Sequence, residues 1–124
     1  MKANLLKLMK ESYSVIKDEA RWCTKCMAQD KEGLPVPVFD KKAYRWCSYG
    51  ILCKKNKELR IKGITTPETL WEAEKYLRDS VVSLDERDVP GMAYTEFNDS
   101  NIHSRVMQMW KLAISRVTED QYEY

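Results

Sequence analysis

Apolar side chains recur at helical spacing in four stretches of this chain, and breaker residues separate them. Leu5, Leu6, Met9, Tyr13, Ile16 and Ala20 fall on one stripe that Cys23 and Met27 continue. That spacing predicts one long helix, or two nearly collinear ones, from about Ala3 to about Gln29. Asp30-Lys31-Glu32-Gly33 then forms a turn, and Pro35 and Pro37 exclude helix from the segment Leu34 to Phe39, which reads as an extended connector. Asp40 is placed to cap a second helix in which Ala43, Trp46, Cys47, Gly50 and Ile51 share a buried face. The basic run from Lys54 to Lys62 ends it, and the apolar-polar alternation just before Gly63 admits a small strand.

A third helix opens with Thr66 as cap, Pro67 in the first turn where its missing N–H is harmless, and Glu68 against the positive end of the dipole. Leu70, Ala73, Leu77, Val81 and Leu84 are its inner stripe. Residues from Asp85 to Asp99 read as loop, broken at Pro90-Gly91, with room for a brief strand between Met92 and Phe97. Asp99 or Ser100 then caps a fourth helix carrying Ile102, Val106, Met109, Trp110, Ala113 and Val117, and the polar tail Glu119 to Tyr124 is expected to fray. The fold class is therefore all-α or nearly so, a single-domain bundle of about four helices over residues 1–124 with a small β-ribbon in the connectors as an option.

Composition narrows the function classes. With 124 residues there is room for one core, and 44% apolar with 32% charged residues is ordinary for a globular protein. No stretch approaches the roughly 18 apolar residues of a membrane span, and Lys7, Lys10 and Glu11 interrupt any signal-type segment, so a cytoplasmic protein without a membrane partner is expected. A net charge of +2 gives no general drive toward nucleic acid, which is not expected as a partner. Any charge argument must be local.

The rarest signal is a doubled Arg-Trp-Cys, at Arg21-Trp22-Cys23 and Arg45-Trp46-Cys47. Trp and Cys both prefer burial, so the repeat reads first as a packing device. Cys23-x-x-Cys26 with Cys47 and Cys53 raises the question of zinc or redox chemistry, but both pairs are expected on helices rather than knuckle turns, and no metal or cofactor is assigned. Cys23 and Cys47 then count as small buried hydrophobes, Cys26 and Cys53 as partly exposed thiols. His103 is the only histidine, so a cysteine hydrolase would have to pair it with Cys23 or Cys47. Asn98 and Asp99 suit helix capping, and the helix end beside Asn98, Ser100 and His103 also suits an anion. The basic run Lys54 to Lys62 reads as a solvated helix end.

In order along the chain stand Trp22-Cys23, then Ala28-Gln29-Asp30-Lys31-Glu32-Gly33, then Arg45-Trp46-Cys47 with Gly50, then Phe97-Asn98-Asp99 before an amphipathic helix. In these motifs the chain resembles a family of small bacterial and phage proteins of unknown function, over most of its length. Cys26 and Cys53 are additions to that pattern, and Phe97 stands where the family more commonly has tryptophan. The resemblance implies no reaction, but it implies a phage or mobile-element accessory protein acting in the host cytoplasm. The preferred reading is a non-enzymatic protein that binds a small anionic, nucleotide-derived ligand or a host protein, plausible as a counter to host defence. Its candidate contacts are Arg21, Trp22, Asp30, Arg45, Trp46, Asn98, Asp99 and His103. The alternative is the small hydrolase using Cys23 or Cys47 with His103. A homo-oligomer is also admitted, because Tyr44, Tyr49, Trp71 and Tyr76 lie off the main stripes and suit an apolar outer patch. Arg21 and Arg45, which flank the two copies, suit either ion pairs with Asp30 or Asp99 or the frame of a pocket.

Overall fold

The computed structural model describes residues 2–84 and 93–121. Helix α1 (Lys2–Ile16) is followed by a single 3-10 turn (Glu19–Arg21), and a two-residue strand β1 (Ala28–Gln29) pairs antiparallel with β2 (Arg45–Trp46). Four more helices complete the order: α2 (Ser48–Ile61), α3 (Pro67–Leu84), α4 (Tyr94–Ser100) and α5 (His103–Gln121). Helix α1 packs against α2, α3 and α5, α3 packs against α5, and the short α4 sits among α2, α3 and α5. The bundle is mostly α with a minimal ribbon, as the sequence pattern implies. Among the described residues no helix is long and apolar enough to cross a membrane.

The two helices with the cleanest patterns form as expected. In α3, Ala73, Leu77 and Val81 are buried, and in α5 the buried side chains are Val106, Met107, Met109, Trp110, Ala113 and Val117. These stripes face Leu5, Leu8, Met9 and Ile16 of α1 and Ile51, Leu52 and Leu59 of α2 in one core.

The first half departs from the helical expectation. Helix α1 stops at Ile16, because the Asp18 carboxylate accepts the Ala20 N–H and starts a tight 3-10 turn instead of another α-helical turn. Ala20, expected on the buried stripe, is exposed. Beyond it the backbone is claimed by tertiary partners, with the Cys23 N–H donating to Trp46 O and a parallel bridge joining Trp22 to Trp46. The stripe from Ala20 through Cys23 to Met27 thus matched a helical period by coincidence of spacing.

The second helix begins later than expected, at Ser48. Asp40 caps a turn, accepting the N–H of Lys42, whereas Arg45 and Trp46 are extended and Cys47 is the residue that caps α2. Helix α2 runs through the supposed alternation to Ile61 and ends at Gly63, whose φ of +75° is the left-handed geometry glycine adopts without penalty. Gly50 answers a different need. A Cβ placed there would lie 2.1 Å from Met27 O, so only glycine lets the 22–29 segment cross the start of α2 this closely.

Phe97, Asn98, Asp99 and Ser100 belong to α4 and are not caps of the last helix, which starts at His103 with Ile102 exposed before it. Of the region expected as loop or brief strand, residues from Tyr94 onward are therefore helical. The break at Pro90-Gly91 lies outside the described residues, and so does the end of the tail, residues 122–124, whereas Glu119–Gln121 continue α5.

Candidate functional site

The sequence-selected residues fall into two neighbouring groups joined through the ribbon. The first is a buried polar nexus on Asn98, which is 1% exposed. Its Oδ1 accepts from Trp22 Nε1 at 2.9 Å, from the Ser48 N–H at 3.1 Å and from Ser48 Oγ at 2.8 Å. Its Nδ2 donates to Cys23 O at 3.1 Å and Asp99 Oδ1 at 3.2 Å, and Trp110 Nε1 donates to Ser48 Oγ at 3.0 Å. One side chain thereby ties the 22–23 segment and the start of α2 to α4, and reaches α5 through Ser48. Asp99 Oδ1 also accepts the Lys25 N–H at 2.8 Å.

His103 joins the same nexus from the first turn of α5. Its Nε2–H donates to Ile16 O at 2.7 Å, closing the carbonyl end of α1, and its ring lies 5.2 Å from the Trp22 ring. Trp22, Asn98, Asp99 and His103 are thus brought together, but their polar atoms serve one another and the backbone. The anion site expected beside Asn98, Ser100 and His103 does not form as a helix N-terminus, because Asn98 and Ser100 sit on α4 with the Asn98 amide turned inward.

The second group surrounds the Tyr44 ring. The Arg21 guanidinium carbon stands 4.4 Å from its centroid, the Arg45 carbon 5.5 Å and the Lys31 Nζ 5.5 Å. Arg21 Nε donates to Tyr44 O at 2.6 Å, and Arg45 Nη1 donates to Asp30 O at 2.8 Å and Lys31 O at 3.3 Å. Among the described residues neither arginine has a carboxylate within ion-pair distance. Asp30 is occupied with its own turn, its Oδ1 accepting the N–H groups of Glu32 and Leu34. Asp30, Lys31, Glu32, Lys41, Lys42, Ala43 and Tyr44 line an open cavity of about 430 Å³.

Trp46 is the hinge between the two groups. It is buried, donates from Nε1 to Val38 O at 3.3 Å, and has Arg21 and Lys54 over its ring at 5.4 Å each. Sequence reasoning marked the arginines and Asp30 but gave no role to Lys31, Lys41 or Lys42, and placed Tyr44 in an outer apolar patch. Of the four residues assigned to that patch only Trp71 is exposed, at 63%, while Tyr44, Tyr49 and Tyr76 are half-buried.

The thiols divide as their spacing suggested, but on different supports. All four are free; Cys23 and Cys47 are buried, Cys26 and Cys53 half-buried. Cys23 and Cys26 lie on a loop, not a helix, with Sγ atoms 3.9 Å apart and Lys25 between them at φ +65°. Burial, reinforced by the adjacent Cys26 and Cys47 thiols, pushes the Cys23 thiol well above its ordinary range. Burial likewise raises Cys47, partly offset by N–H groups of Gly50 and Tyr49 that face its sulfur. Among the described residues no group of three or more His, Cys, Asp or Glu side chains is placed to hold a metal ion.

Compared with known proteins, the chain matches no family model, no curated protein and no solved structure.

Proposed function

We propose that this chain is a non-enzymatic binding protein that takes a small anionic ligand, of the nucleotide-derived class, at the Tyr44 cavity. The observation that carries the reading is the convergence of Arg21, Lys31 and Arg45 on the Tyr44 ring with no carboxylate pairing either arginine among the described residues. Lys31, Lys41 and Lys42 line the cavity with Asp30 and Glu32, Arg21 and Arg45 lie against the Tyr44 ring that also lines it, and Asp40 adjoins the two lysines in sequence. Two of those carboxylates accept backbone N–H groups of their own turns. Fixed guanidinium groups held by carbonyl bonds are pre-organised donors for phosphate or carboxylate oxygens.

The cysteine hydrolase receives less support. A nucleophilic thiol needs ready ionisation, yet burial pushes both Cys23 and Cys47 the other way, and the His103 Nε2 is engaged with Ile16 O. Sequestration of the anion without chemistry on it is the role proposed for the Tyr44 cavity, and an accessory function in a phage or mobile element belongs to the same proposal.

Calorimetric titration with inorganic pyrophosphate and with adenosine diphosphate tests it. Binding of either probe, weakened about tenfold or more in Arg21→Ala and Arg45→Ala, supports the site. Absence of heat with both probes at millimolar concentration, or equal binding in both variants, overturns it.

A further inference from the structure

The shape of the Cys23–Cys26 loop is set by contacts that have no part in the Tyr44 cavity. Three bonds from one helix fix it: Asn98 Nδ2 donates to Cys23 O, Asn98 Oδ1 accepts from Trp22 Nε1, and Asp99 Oδ1 accepts the Lys25 N–H. The Lys25 N–H contact locks a residue at φ +65°, a conformation that costs a non-glycine side chain about 1 kcal/mol or more and persists only where the surroundings impose it. That turn sets the two sulfurs 3.9 Å apart, with Cys23 buried beneath and Cys26 half-exposed above. The two free sulfurs are in contact across the turn, and no third metal-ligating side chain is placed to complete a metal site among the described residues.

We propose that Cys23 and Cys26 form a thiol–disulfide exchange site whose co-substrate is a low-molecular-weight disulfide such as oxidised glutathione. The accessible Cys26 attacks one sulfur of the co-substrate as its thiolate. A mixed disulfide forms, and the departing thiolate takes the proton that Cys26 gave up. The Cys23 sulfur then attacks Cys26 Sγ, the S–S bond to the small thiol breaks, and the Cys23 proton leaves with that second thiol. One external disulfide is reduced to two thiols as one internal disulfide is made, so electrons and protons balance. The buried Cys23 sulfur is shielded from the external disulfide but lies beside Cys26 Sγ, so it serves the resolving step, and its reluctance to ionise makes that step the slower of the two, quickening as pH rises. Asp99 acts as a positioning residue through the Lys25 N–H.

Incubation of the reduced, full-length protein with oxidised glutathione, followed by alkylation and peptide mass mapping, reads the outcome directly. The expected product is an intramolecular Cys23–Cys26 disulfide. Cys23→Ser is expected to stop at a glutathione adduct on Cys26, and Cys26→Ser to leave Cys23 unmodified. Asp99→Ala is expected to slow closure of the mixed disulfide while the melting curve still reports a folded chain. Adducts formed only on Cys53, which is also half-exposed, or persistence of the Cys26 adduct in the wild-type protein, overturns the proposal.

Discussion

Trp22 and Asn98 are 76 residues apart in sequence, and the indole N–H of the first donates to the amide oxygen of the second at 2.9 Å. Around that bond the chain assembles its least regular part. The same oxygen accepts both the backbone N–H and the hydroxyl of Ser48, so it organises the first turn of α2 as well. A buried amide with every contact satisfied selects one arrangement of the segments that meet on it, since any other arrangement strands polar atoms away from water.

Replacing Asn98 removes one acceptor and two donated bonds at once. Asn98→Ala leaves the Trp22 indole N–H, the Ser48 N–H and Cys23 O seeking partners in a buried site, and a loss of roughly 3 kcal/mol is expected. Urea denaturation of the variant checks it. Asn98→Asp keeps the acceptor but not the donor to Cys23 O, and it buries a charge beside Asp99, so it should be no more stable than the alanine variant. A cost under about 0.5 kcal/mol for either would mean that the nexus does not hold these segments.

Gly50 is the steric counterpart of that polar clamp. With Met27 O 2.1 Å from where a Cβ would stand, Gly50→Ala must displace backbone, because the atom in the way is a carbonyl and not a flexible side-chain end. The Cys47 N–H donates to the same Met27 carbonyl at 3.2 Å, so the displacement also disturbs the cap of α2. A destabilisation of about 2 kcal/mol or more is expected, despite alanine's better helix propensity, and a thermal melt that rises instead would refute the close-approach argument.

Legibility in the sequence followed how much of each element's partner lay within its own stripe. Helices α3 and α5 were readable because Pro67 marks a start and long runs such as Leu77–Val81 and Val106–Met109–Trp110 bury one continuous face. Helix α4 was not, because its seven residues offer only Tyr94 and Phe97 as buried apolar positions and its purpose is to deliver Asn98. The segment from Cys23 to Gln29 has a spacing compatible with helix, but the contacts that decide its conformation come from Trp46, Asn98 and Asp99, far away in sequence. The doubled Arg-Trp-Cys did flag both arginines. Tyr44, next to the second copy, looked like a surface aromatic because cations converging on a ring from three separate stretches leave no local pattern.

Stability should fall on the alkaline side. The folded Cys23 and Cys47 thiols titrate above the ordinary 9.0, so below about pH 9 both states hold these protons and the full stability stands. Above it the unfolded chain releases them while the folded chain does not, and stability declines with rising pH. Tyr49, pushed up to about 12 mainly by the neighbouring Cys53 thiol, and the buried Tyr94 extend the decline from about pH 10 upward. Denaturation under reducing conditions at about pH 7.5 and 9.5 should show the drop, and Cys23→Ala and Cys47→Ala should each flatten it. An equal slope in both variants would assign the pH dependence to other groups.

The Tyr44 ring separates a structural from a ligand-binding role for the cations around it. Tyr44→Phe keeps the aromatic face that Arg21, Lys31 and Arg45 approach and the backbone carbonyl that Arg21 Nε bonds, so stability and pyrophosphate binding should both persist within about 0.5 kcal/mol. Tyr44→Leu removes the face and frees the guanidinium groups to other rotamers, and each lost cation–π contact is worth about 0.5–1 kcal/mol at such half-exposed positions. Affinity is then expected to drop about fivefold or more, and the lost contacts lower stability by about 1–2 kcal/mol while the chain stays folded, because the core of α1, α3 and α5 is untouched. Binding to the wild-type protein should also weaken as sodium chloride is raised, since the attraction is between charges in solvent contact. If Tyr44→Leu binds pyrophosphate as well as Tyr44→Phe does, the ring is packing only, and the anion must be held by the flexible lysines Lys31, Lys41 and Lys42 instead.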